Sequence, residues 1–134
     1  MWVTLNNGFF SIVENAHNRH ELLVRARRKD DIPRVFRVPQ QFTPDRDYPY
    51  RVSLARVKVA EVLARSVMGV DYSNFKDSIP DHTFHDACTR VWSTMFEVDD
   101  RVAKVANNAQ RSRAPRSKHV AVPSRREDVG GNSG

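Results

Sequence analysis

The stretch Trp2-Val3-Thr4-Leu5-Asn6-Asn7-Gly8-Phe9-Phe10-Ser11-Ile12-Val13-Glu14 decides the fold. Two short runs of Val, Leu, Ile and Phe flank Asn7-Gly8, a dipeptide that readily supplies the positive φ angles of a tight hairpin turn. Strands are therefore expected over residues 2–5 and 9–14. A third is expected over 21–28, where Leu22, Val24 and Ala26 alternate with Leu23, Arg25 and Arg27. That period of two puts one face on a core and leaves the other partly wet, with Arg25 and Arg27 on or near the wet side.

Outward from these strands, Asp30 or Asp31 can cap a short helix that tolerates Pro33 in its first turn and runs to about Phe36. Pro39 and Pro44 predict an irregular stretch, and residues 48–52 read as a fourth strand that must return to the sheet. Ser53 is a good N-cap for a helix over 54–68, with Val59, Val62, Leu63, Val67 and Val70 on one stripe and Gly69 placed to end it. A short segment follows at 74–79. Phe84, Ala87, Cys88, Val91, Trp92, Met95 and Phe96 then recur at the spacing of an apolar helix face, and the pattern continues weakly to Ala109. The expectation is an α+β domain over 1–100, a four-stranded antiparallel or mixed sheet packed by two or three helices. A helix extension over 101–110 and a disordered basic tail over 111–134 complete it.

Charge follows the same division. The chain of 134 residues carries a formal net charge of +6, but residues 1–100 hold 14 basic and 14 acidic side chains, and residues 101–134 hold 8 basic and 2 acidic. The whole excess lies in the C-terminal segment. All 12 aromatics occur at or before Phe96, so the core must form from the neutral part. The single cysteine, Cys88, excludes an intrachain disulfide and makes a reducing compartment the simplest one. The apolar run at 9–13 is too short and wrongly flanked for a signal peptide, and no run approaches a membrane span. A cytoplasmic protein without membrane attachment is expected. Three of the five glycines fall at 130–134, which leaves no Gly-rich phosphate loop and no cofactor fingerprint.

Six motifs in order, Trp2-Val3, Gly8-Phe9-Phe10-Ser11-Ile12-Val13, Val24-Arg25-Ala26-Arg27, Asp47-Tyr48-Pro49-Tyr50-Arg51, Asp71-Tyr72-Ser73-Asn74-Phe75-Lys76 and His85 through Val91-Trp92, span residues 1–96. This pattern resembles a family of small uncharacterised proteins of bacteria, notably actinobacteria, and of their phages. The resemblance implies a phage or actinobacterial source, with the host cytoplasm as compartment if phage-encoded, and brings no activity with it. Cys88 stands where the family's pattern has an aromatic, and the basic tail is an addition.

Several groups could carry chemistry. Asp71, Tyr72, Asn74 and Lys76 sit between two helices, where a loop can present polar groups to a ligand; equally, Tyr72 and Phe75 can plug a core while Asp71 and Ser73 cap the next helix. His82, His85 and Cys88 include zinc-ligand types, but His82 and Cys88 fall about 240° apart at 100° per residue, so no metal site is expected. His85 with Arg25, Arg27, Tyr50, Asp71 or Lys76 could form an acid–base site for phosphodiester cleavage if the fold brought them together. In the tail, Arg111, Arg113, Arg116, Lys118, Arg125 and Arg126 can neutralise phosphates of DNA or RNA, and without interleaved aromatics that attachment would be non-specific in sequence. The readings are thus a non-enzymatic accessory binding module with a host or self protein partner and a nucleic-acid-attaching tail, a nucleic-acid-processing enzyme or toxin-like factor, or a structural or protein-interaction module.

Overall fold

A computed structural model describes residues 1–113. Strands β1 (Trp2–Leu5), β2 (Gly8–Asn15) and β3 (Asn18–Ala26) form an antiparallel meander. Helix α1 (Asp31–Phe36) crosses one face, and the hairpin of β4 (Gln41–Phe42) and β5 (Tyr50–Ala55) returns to give the order β1-β2-β3-β5-β4. Every pairing is antiparallel. Helix α2 (Arg56–Met68), a 3-10 turn (Lys76–Ser78), α3 (His82–Phe96) and α4 (Asp100–Arg113) follow. The described residues are therefore α+β as expected, with five strands rather than four and with four α-helices, the last standing separately where an extension of the third is expected.

The extra strand lies in the stretch between Pro39 and Pro44 that reads as irregular. Two residues are too few to show a period, and what makes them a strand is the partner: Gln41 and Phe42 face Arg51 and Tyr50, and Thr43 N–H donates to Pro49 O at 2.7 Å. The extra helix arises because the apolar period of α3 breaks after Phe96. Asp99 Oδ1 accepts the Arg101 N–H at 2.9 Å, an N-cap that starts α4 afresh. The Arg101 guanidinium on the same carboxylate holds Asp99 below the usual carboxylate range. Helix α2 also starts later than its sequence suggests: Ser53 and Leu54 remain in β5, and Ala55 stands at the N-cap with no side-chain bond to the helix.

The chain divides into two units, Met1–Thr94 and a second beginning at Met95. In the first, α1 and α2 pack on one sheet face. Phe10, Ile12, Val24 and Ala26 from the strands meet Ile32 and Phe36 of α1 and Val59 and Val62 of α2, all buried. Phe10 and Phe36 meet edge to face with centroids 5.2 Å apart. The first turn differs from the Asn7-Gly8 expectation. Leu5 pairs with Gly8, so the loop is Asn6-Asn7, and neither these two residues nor Gly8 has a positive φ. Gly8 is required for space instead: a Cβ there would stand 2.6 and 2.8 Å from atoms of the Phe10 ring. Asp31, 1% exposed, ties that hairpin to α1 by accepting the Phe9 N–H (3.2 Å) and pairing with Arg28 (2.9 Å).

The stripe read on α3 is mostly uncovered. Cys88 is buried, and the Arg28 guanidinium lies 4.3 Å from the Phe84 ring centre, but Val91 and Trp92 are more than half exposed. Val67 and Val70 of the α2 stripe are likewise exposed, because α2 reaches the sheet only through the turns holding Val59 and Val62.

Candidate ligand-binding face of the sheet

Alternation along the strands sends the other set of side chains to the face opposite α1 and α2. The registers align Trp2 with Ser11, Ser11 with Arg25, Arg25 with Arg51, and Arg51 with Gln41, one row across all five strands. Phe9 and Arg27 belong to the next row. The β4–β5 loop folds over this end and seats Tyr48, 4% exposed, among them. Its ring stacks on Phe9 at 6.5 Å, and the Arg25 and Arg27 guanidinium carbons lie 5.1 and 4.7 Å from its centre. Each such contact contributes about 0.5–2 kcal/mol and orients the cation more than it neutralises it.

Hydrogen bonds fix the same cations further. Arg25 Nη2 donates to Ser11 Oγ at 2.7 Å, and Arg51 Nε donates to Tyr48 O at 2.8 Å. Arg25 Nε is buried without a hydrogen-bond partner. Among the described residues no carboxylate lies within ion-pair distance of Arg25, Arg27 or Arg51. Two like charges directly opposite in neighbouring strands destabilise a sheet, as Arg25 and Arg51 are here. An anion on this face would relieve that repulsion. At the edge of the row Trp2, 74% exposed, meets Phe9 edge to face at 5.9 Å.

Arg25 and Arg27 thus stand together, and Arg51, Trp2, Phe9 and Tyr48 join them. The other residues singled out in the sequence lie elsewhere. Asn74 Oδ1 accepts the Lys76 N–H at 3.1 Å, and the Lys76 ammonium lies 4.2 Å from the Trp92 ring centre. Tyr72 packs on Phe75 at 6.2 Å, and Asp71 is exposed. His85 Nδ1 is 3.2 Å from Asp86 Oδ1. No hydrogen bond, ion pair or ring contact among the described residues joins His85 to Arg25 or Arg27. No group of three His, Cys, Asp or Glu among those residues is placed to hold a metal. Arg111 and Arg113 fall in the last turn of α4, whereas Arg116, Lys118, Arg125 and Arg126, with the disorder expected of the tail, lie outside the described residues.

A groove of about 520 Å³ elsewhere on the domain is lined by Asn6, Asn7, Arg28, Asp31, Arg34 and Asp81. Its charges answer one another, with Arg28 and Arg34 both on Asp31, so it lacks the uncompensated charge of the sheet face. No helix of the described residues is long and apolar enough to cross a membrane. Comparison with protein-family models, curated proteins and solved structures finds no match to this chain.

Proposed function

We propose that this protein is a non-enzymatic binding module that attaches to nucleic acid, through the open sheet face of its folded domain and through the basic residues of its C-terminal segment. The observation that carries the reading is the Arg25–Arg51 pair, with Arg27 beside it and, among the described residues, no ion pair to a carboxylate for any of the three. The Tyr48 ring and the bonds to Ser11 and Tyr48 O hold these guanidinium groups in place, but they leave the like charges unneutralised, and an anion would complete them. Guanidinium forks match phosphate as they match carboxylate, and a phosphate polyanion engages three at once. The C-terminal arginines and lysines add contacts of the same kind without reading sequence.

Binding of a mixed-sequence oligonucleotide by the full chain at ~50 and ~200 mM salt tests this. Affinity should fall steeply with salt. Arg27→Gln should flatten the log–log slope by about 0.7 on single strands, as should replacement of any one tail cation by glutamine. Absence of binding at ~50 mM salt, or a slope untouched by Arg27→Gln, would overturn the role of the sheet face.

A further inference from the structure

We infer that the open sheet face takes a single-stranded rather than a double-stranded nucleic acid, with phosphates on Arg25, Arg27 and Arg51 and a base stacked on the Trp2 indole. This rests on the polyanion reading above and adds to it the form of the ligand.

Two features of the face point to a single strand. Trp2 is the most exposed aromatic of the sheet, and its one ring partner among the described residues, Phe9, meets it at an interplanar angle of 66° rather than flat, which leaves indole surface open to a second ring. The indole occupies the same cross-strand row as the cations. At ~4.8 Å per strand the backbone of Trp2 lies about 10 Å from that of Arg25 and about 14 Å from that of Arg51, a span that a few neighbouring nucleotides cover. A duplex keeps its bases stacked on one another and offers only phosphates to a lateral indole, whereas a single strand presents both phosphates and free base faces. The cations are also held rather than mobile. Arg25 is bound to Ser11, Arg51 to Tyr48 O, and Arg25 and Arg27 both lie on the Tyr48 ring, so little ordering remains to be done when a strand arrives.

Stacking on the indole requires only a π-face, so the site tolerates any base sequence. This separates it from the C-terminal cations, which have no aromatic among them and would hold single and double strands alike.

The test uses the full chain with a 12-nucleotide single strand and the 12-base-pair duplex containing it, binding being followed by oligonucleotide anisotropy. The expected result is tighter binding of the single strand. Trp2→Ala should weaken it by roughly 5- to 150-fold without altering the salt slope or the duplex affinity, and Trp2→Phe should restore part of the loss. Trp2 is exposed enough for Trp2→Ala to fold, and far-UV circular dichroism checks that it does. If both forms bind and Trp2→Ala changes neither, the stacking inference falls while the polyanion reading stands. If neither binds and a polyglutamate peptide does, both fall.

Discussion

Gly8 shows how a residue chosen for one physical reason can serve another. Asn7-Gly8 reads as a turn because glycine accepts positive φ, yet Gly8 is the first residue of β2, and what it supplies is the space through which the Phe10 ring passes. Gly8→Ala would place a methyl inside the van der Waals radius of a ring at the centre of the core. Overpacking of this kind costs about 1–3 kcal/mol, so the variant should unfold at a lower urea concentration with an unchanged m-value. Asp31 is the polar counterpart. A buried carboxylate is tolerable there because the Phe9 N–H and the Arg28 and Arg34 guanidinium groups surround it. It joins β2 to α1 by a bond that no local sequence pattern announces.

At the scale of elements, helix α2 is built with a weak start. Ala55 at the N-cap supplies no acceptor for the first N–H groups, and Arg56 and Lys58 place positive charge at the positive end of the helix dipole. Ala55→Ser should therefore raise stability by about 0.5–1 kcal/mol, read as a higher urea midpoint, because Ala55 already has the extended ψ of 139° that an N-cap adopts. Much at this scale is legible in the sequence. Trp2–Leu5 reads as it folds, the alternation of Leu22, Val24 and Ala26 against Leu23, Arg25 and Arg27 assigns both faces of β3, and α1 ends at Phe36 as expected. Its expected cap is not made: Asp30 at the N-cap forms no side-chain bond to the helix, and Asp31 is its first residue, with a carboxylate that turns to the Phe9 N–H and Arg28 instead. What escapes is whatever depends on a partner distant in the chain. Gln41 and Phe42 become a strand only beside β5, and Ser53 reads as a cap until β5 continues through it to Ala55. The candidate face shows the same limit. Arg25 and Arg27 can be placed on the wet side from their own strand, but Arg51, Trp2 and Phe9 join them only through cross-strand register. Tyr48 joins through a loop that no period describes. The pairing Asp47-Tyr48-Pro49-Tyr50-Arg51 against Val24-Arg25-Ala26-Arg27, two runs rich in arginine and tyrosine, is the one sequence signal that could have located the site.

For the whole molecule, alkaline pH acts on folding through Cys88. Burial pushes its thiol above the usual thiol value, with nearby Arg28 pulling the other way. The folded chain therefore keeps a proton that the unfolded chain has lost once pH exceeds about 9. Stability from the neutral thiol is fully present below that pH and is lost as pH rises from the unfolded value through the higher folded one. Denaturation midpoints at pH 8 and pH 10 should differ more for the wild type than for Cys88→Ala, which has no thiol to ionise. Charge is divided at this scale as well. Residues 1–100 are balanced in formal charge while the C-terminal segment carries the excess, so the positive character of the sheet face comes from local arrangement rather than from composition.

The two faces of the sheet also separate what natural selection can alter independently. Even-numbered positions of β2, β3 and β5, such as Phe10, Val24 and Val52, face the helices, and a change there is felt by every neighbour in the core. The odd positions between them, with Trp2 at the edge, lie on the face away from the helices, where their contacts are with one another and with Tyr48 rather than with the core. A lineage carrying this fold could therefore reshape that face by altering alternate letters of three short strands, while the letters between them keep the domain folded throughout.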